Sequence, residues 1–176
     1  MIRFAPLAAL VLSACATTTP TAEASVERIA YDTNSWGRVV SGWTIGPDGE
    51  GTWYERVNDS GQPGPVGPYQ LRHHDFDVGK AGFAELEALL ADLPDPAPSA
   101  TNCRQFRTDD LYGTLRLTTG ATTEEIAYNQ GCRDAPYQAF MAHLLEANAL
   151  VADWGKATPV SRTERYGRDG APVSEQ

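Results

Sequence analysis

The chain reads as an α+β domain: an antiparallel sheet built from hairpins and packed on one face by two helices. Three observations predict it. Period-two alternation around glycine-containing turns occurs before residue 60 and again between residues 111 and 129. Two segments, over 79–93 and 134–155, carry apolar residues at spacings of three and four. The order of elements is strands, helix, strands, helix, which suits one sheet covered on one face.

Taken in order, Val26 to Tyr31 is a short first strand. Arg38 to Ile45 and Thr52 to Val57 flank Gly46-Pro47-Asp48-Gly49-Glu50-Gly51, whose Pro-Asp-Gly core is a strong turn signal. Alternation puts Val39, Trp43 and Ile45 on one face, with Trp53 and Val57 on the same face of the partner strand. Asn58 to Pro68, with three prolines and three glycines, is an exposed loop. Tyr69, Leu71 and Phe76 mark a returning strand. A helix follows from Gly79 to Leu93, with Phe83, Leu86, Leu89, Leu90 and Leu93 on one stripe, and Pro94 ends it. Pro94, Pro96 and Pro98 stiffen the connector to Cys103.

Leu111, Leu115 and Leu117 alternate with polar residues, and a turn at Thr119-Gly120-Ala121 returns through Ile126 and Tyr128 as a second hairpin. Asp134 is placed to cap a second helix and Pro136 sits in its first turn, where a missing N–H does no harm. Tyr137, Phe140, Met141, Leu144, Leu145, Asn148 and Val151 form its stripe, which ends near Trp154-Gly155. Residues 156–176 are polar and aperiodic and read as a loose tail, leaving 26–155 as a single domain.

The N-terminus carries a different kind of signal. Arg3, an apolar run from Phe4 to Leu12, then small residues at Ser13 and Ala14 lead to Cys15. In Leu12-Ser13-Ala14-Cys15 the chain resembles a bacterial lipoprotein precursor. That resemblance implies removal of residues 1–14, acylation of Cys15, and a location in the cell envelope. Ala16 after the cysteine, where Asp is associated with inner-membrane retention, implies the outer membrane facing the periplasm. Residues 16–25 contain no large apolar side chain and form a tether. The strand, Asp-Gly turn, aromatic strand and Leu-rich helix over residues 26–130 also resemble a family of short exported bacterial domains of unknown function. That likeness supports the fold and brings no catalytic motif with it.

Of three cysteines, Cys15 is consumed by lipid. Cys103 and Cys132 remain as an even pair in an oxidising compartment, where a disulfide is expected and a metal half-site or redox pair is the alternative. The formal net charge is −9 and cleavage before Cys15 removes one more cation, Arg3. An acidic surface repels phosphate backbones and anionic headgroups, which argues against nucleic acid and makes acyl chains the attachment to the membrane.

Two clusters invite a functional reading. His73-His74-Asp75-Phe76-Asp77 holds metal-ligand chemistry, since His73, Asp75 and Asp77 share one face of a strand and could take zinc, nickel or manganese. The competing reading is a solvated strand end, with Asp77 capping the helix that follows. Trp36, Trp43, Trp53 and Tyr54 crowd one region, either as a stacking platform for a sugar or peptide or as core and cross-strand pairs. No nucleophile elbow, phosphate-cradling loop or His-Glu-x-x-His helix is present, and no cofactor is implied. The pairs Asp109-Asp110 and Glu124-Glu125 point two ways and do not converge as acid and base. The expectation is a non-catalytic, lipid-anchored envelope protein that binds a protein or glycan partner. The alternatives are a metal- or small-ligand-binding lipoprotein using His73, His74, Asp75 and Asp77, and a hydrolase without a recognised motif.

Overall fold

A computed structural model describes residues 25–59 and 67–173. Cys15, the leader and the tether as far as residue 24 lie outside the described residues. Seven strands form one sheet: β1 (Arg28–Ser35), β2 (Arg38–Ile45), β3 (Glu50–Asn58), β4 (Tyr69–Asp77), β5 (Tyr112–Thr119), β6 (Thr122–Asn129) and β7 (Arg162–Tyr166). Their order is β6-β5-β1-β2-β3-β4-β7, and every neighbouring pair is antiparallel. Two helices, α1 (Gly79–Leu90) and α2 (Ala135–Lys156), lie on one face and pack on each other. The α+β architecture expected from the sequence is the one observed.

Register explains why the core is aromatic. Tyr31 pairs with Trp43 and Leu115, Trp43 with Trp53, Trp53 with His74, and Leu115 with Ile126, so one row of side chains crosses six strands under the helices. Tyr31 stacks between Trp43 and Tyr128 at centroid distances of 5.6 and 5.1 Å. Phe83, Leu86 and Leu90 of α1, with Tyr137, Phe140, Met141, Leu144, Ala147 and Val151 of α2, close over that row. Gly155 lies against Trp53 where a Cβ would collide with the indole, which lets the end of α2 sit directly on β3.

The helix caps are set differently. The Asp77 carboxylate accepts the Gly79 N–H at 2.9 Å, so it serves the start of α1 as its position suggests. Asp134 stands at the N-cap of α2 without a side-chain cap bond. Its carboxylate reaches the N–H groups of Arg104 and Gln105 instead, at 2.9 and 3.1 Å.

Three local expectations are corrected. The pairing of β1 with β2 slips between Thr33 and Asn34, so Val39 falls out of phase with Trp43 and Ile45. Leu145 is exposed, one position off the buried stripe of α2. Residues 156–176 are not simply a loose tail, because Arg162–Tyr166 pairs with β4 as the edge strand and the segment after it turns back, with Val173 N–H bonded to Arg165 O. Arg-Thr-Glu-Arg-Tyr has no apolar alternation. Its strand depends on a partner distant in sequence: Tyr166 stacks on Tyr69 at 4.8 Å, and Arg162 and Glu164 close over His73.

Candidate binding cleft at the Trp36 end of the sheet

β1 runs from Arg28, near the first described residue, to the Trp36-Gly37 turn, so the two ends of the sheet are separated by eight residues of strand, about 26 Å. At the Arg28 end an open cleft of about 720 Å³ is lined by Glu27, Arg28, Asp48, Glu50, Asp75 and Asp77 among others. At the opposite end a smaller cleft of about 280 Å³ lies between Trp36 and Phe106, with Tyr112, Asn129 and residues 107–110 completing it.

The smaller cleft is built by three strand ends and one stapled loop. Trp36 and Gly37 occupy a two-residue hairpin turn with φ of 52° and 72°, the left-handed pair that favours Asn-Gly. The Gly37 N–H donates to the Tyr112 hydroxyl at 2.8 Å and fixes this turn to the first residue of β5. The Cys103–Cys132 disulfide ties the loop before β5 to the start of α2, with Cα atoms 5.6 Å apart. Phe106 bridges to Cys132, Arg107 N–H bonds Gly131 O at 2.9 Å, and Arg133 N–H bonds Gln105 O at 2.7 Å. Loop residues 104–107 are thus held from both sides while Phe106 stays half exposed.

Its electrostatics are closed internally. Arg107 donates to both oxygens of Asp110, at 3.0 and 2.6 Å, and Arg133 donates to the same carboxylate. The Arg107 hydrogen bonds hold the Asp110 carboxyl below the usual range, with Arg133 adding to the effect. Asp109, at a φ of 68°, lines the cleft with no partner for its carboxylate among the described residues. Trp36 and Asp109 are the two non-glycine residues with positive φ among those described, and both belong to this cleft.

The aromatic cluster of the sequence is divided by the fold. Trp43 and Trp53 are buried under the helices, and Trp43 Nε1–H donates to Asn148 Oδ1 at 3.0 Å. Tyr54 lies on the other face, across Gly42 and 5.5 Å from the His73 ring. Trp36 alone of the four is exposed, at 67 %. Four rings close in sequence therefore make no common platform, and the ring that joins Trp36 is Phe106, seventy residues away. Phe106, Arg107 and Asp109 carry no periodic signal, and Tyr112 enters only as an alternate of the strand through Leu115 and Leu117. A Trp-Gly hairpin turn in place of Asn-Gly was the one hint in the sequence.

The histidine cluster is divided as well. His74 faces the helices, where its Nδ1–H donates to Thr158 O at 2.9 Å and its ring lies 5.2 Å from Trp53. His73 faces the opposite side, beside Arg162 and Glu164 of the neighbouring strand β7. Arg162 can only donate, so His73 Nδ1 accepts at 3.2 Å and the proton sits on Nε2, 3.5 Å from Glu164 Oε1. Burial pushes the His73 imidazole below its ordinary range, the Arg162 cation pushes it further, and Glu164 opposes both. Both histidines are buried, which overturns the solvated strand end. Asp75 accepts from Thr52 Oγ1 at 2.8 Å and Asp77 serves the α1 terminus, so the four side chains do not converge as one ligand set. Among the described residues, the one grouping with metal-ligand spacing is Cys103, Cys132 and Asp134, whose two sulfurs are joined in the disulfide.

No helix among the described residues is long and apolar enough to cross a membrane. No family model, no curated protein and no solved structure matches the chain.

Proposed function

We propose that this protein is a non-catalytic, lipid-anchored envelope protein that binds its partner through the cleft between Trp36 and Phe106. One observation carries the reading. An exposed indole sits on a backbone conformation that costs a bulky residue roughly 1–2 kcal/mol, beside a second exposed ring, in a domain whose other large aromatics are used for packing. Trp, Tyr and Arg are enriched in binding hot spots and Phe in interface cores, and all four line this cleft.

Topology supports the same reading. Acyl chains on Cys15, with ten residues of tether reaching at most about 35 Å, enter at the start of β1. The cleft opens at the other end of that strand from Ser25, where the described chain begins. The carboxylates gathered at the Arg28 end disfavour contact of that end with anionic headgroups, so the lipid alone would hold the protein to the bilayer.

Two measurements test the proposal. Cys15→Ser should shift the protein from the membrane to the soluble fraction or leave an uncleaved precursor; unchanged partition would remove the lipid anchor from the reading. A photo-crosslinking residue placed at position 36 in cells should form a saturable adduct with an envelope component, while the same residue at exposed Glu85 of α1 should not. Equal labelling at both positions, or none at either, would remove the cleft from it.

A further inference from the structure

We infer that the Trp36 cleft takes a saccharide, seated with the apolar face of a sugar ring against the indole. The inference rests on the binding reading above and names its ligand class.

The lining of the cleft is of two kinds. Trp36 and Phe106 supply exposed ring surface, 67 % and 49 % accessible. The remaining lining supplies single hydrogen-bonding groups, both donors and acceptors. Tyr112 accepts the Gly37 N–H and keeps its own hydroxyl proton to donate. Asn129 Oδ1 accepts the Gly131 N–H at 2.8 Å, which leaves its amide NH₂ as a donor. The Asp109 carboxylate and the Thr108 hydroxyl have no hydrogen-bond partner among the described residues and can accept. Such a surface is complementary to a ligand with C–H groups on one face and hydroxyls around its edge.

Charge excludes the main competitors. Arg107 and Arg133 both pair with Asp110, and the Asp109 carboxylate offsets the remaining cation, so the cleft carries no net charge to recruit a phosphate or carboxylate. One unpaired carboxylate, Asp109, is a weak attraction for a cationic peptide when the far larger acidic surface lies at the other end of the sheet. A neutral polyol fits the remaining groups. The volume, about 280 Å³, is just below the roughly 300–1,000 Å³ of drug-sized sites and suits a terminal or single sugar ring better than an extended apolar ligand. The disulfide and the Gly37–Tyr112 hydrogen bond hold the loop of Phe106 and the turn of Trp36 before binding, which lowers the ordering cost of a weak polar ligand.

The test uses the full-length chain in detergent micelles, titrated by calorimetry and indole emission with cellotetraose, maltotetraose and the β-1,4-linked tetramer of N-acetylglucosamine. At least one should bind and perturb the emission of Trp36. Trp36→Asn, which keeps a residue suited to the left-handed turn, and Phe106→Ala should each weaken binding about tenfold or more with the thermal melt retained. Asp109→Asn should weaken it about threefold to tenfold. Binding that survives both aromatic substitutions unchanged would overturn the inference. So would failure of all three saccharides; if position 36 still crosslinks specifically to a protein, the binding reading stands and the saccharide is wrong, whereas absence of both removes the two together.

Discussion

The two ends of the sheet have opposite surface chemistry, and the larger cavity lies at the end less suited to binding. The Arg28 end holds about 720 Å³ of open space whose lining includes the carboxylates of Glu27, Asp48, Glu50, Asp75 and Asp77, which repel one another. The far end holds about 280 Å³ between two rings, with its one carboxylate of intermediate exposure neutralised by two arginines. Size favours the first and desolvation favours the second, because affinity comes from apolar surface and paired polar groups removed from water rather than from space. The strands between them carry a shared aromatic core, so each end can be altered without rebuilding the other.

The largest effect should come from that shared core. Trp43→Ala removes a side chain 2 % exposed together with its bond to Asn148, and a cost of about 3–5 kcal/mol is expected from urea unfolding. Both ends should loosen together in hydrogen exchange. A loss below about 1 kcal/mol would show that the two ends do not depend on this row.

The next effect should be confined to the far end. Replacing Cys103 and Cys132 by serine opens a link spanning 29 residues, for which the chain-entropy model gives about 3–4 kcal/mol. Limited proteolysis should then cut first within 103–111 while the Gly46–Gly49 turn stays protected. Cleavage at both ends at equal rates would break the comparison.

Trp36→Asn should have the smallest effect and the opposite sign. Relieving a left-handed bulky residue in a two-residue turn should raise stability by up to about 1 kcal/mol, since the indole is exposed and little packing is lost. A destabilisation of that size instead would mean that Trp36 is there for packing, and the far end would lose its claim to a ligand.

How far the site could be read in advance follows from the same contrast. Alternation puts Trp43 and Trp53 on the apolar face and leaves Trp36 off it, and the pairing of Tyr31 with Trp43 and Trp43 with Trp53 buries those two. His73 and His74 were correctly placed on a strand, yet neighbours on a strand point to opposite faces. The end of α2 with Thr158 covers His74 on one face, and the side chains of Arg162, Glu164 and Tyr54 cover His73 on the other. β7 itself was missed because its stability lies in β4, some ninety residues earlier.

By itself the sequence determined the α+β class, both hairpins, both helices and the cysteine pair, because turn residues, period and residue parity act over a few neighbours or by counting. Tertiary structure alone decided the order β6-β5-β1-β2-β3-β4-β7, the edge strand β7, the burial of both His73 and His74, and the placing of Trp36 and Phe106 in one cleft. Those outcomes depend on contacts between residues far apart in the chain, whose free energy leaves no periodic trace in either segment read alone.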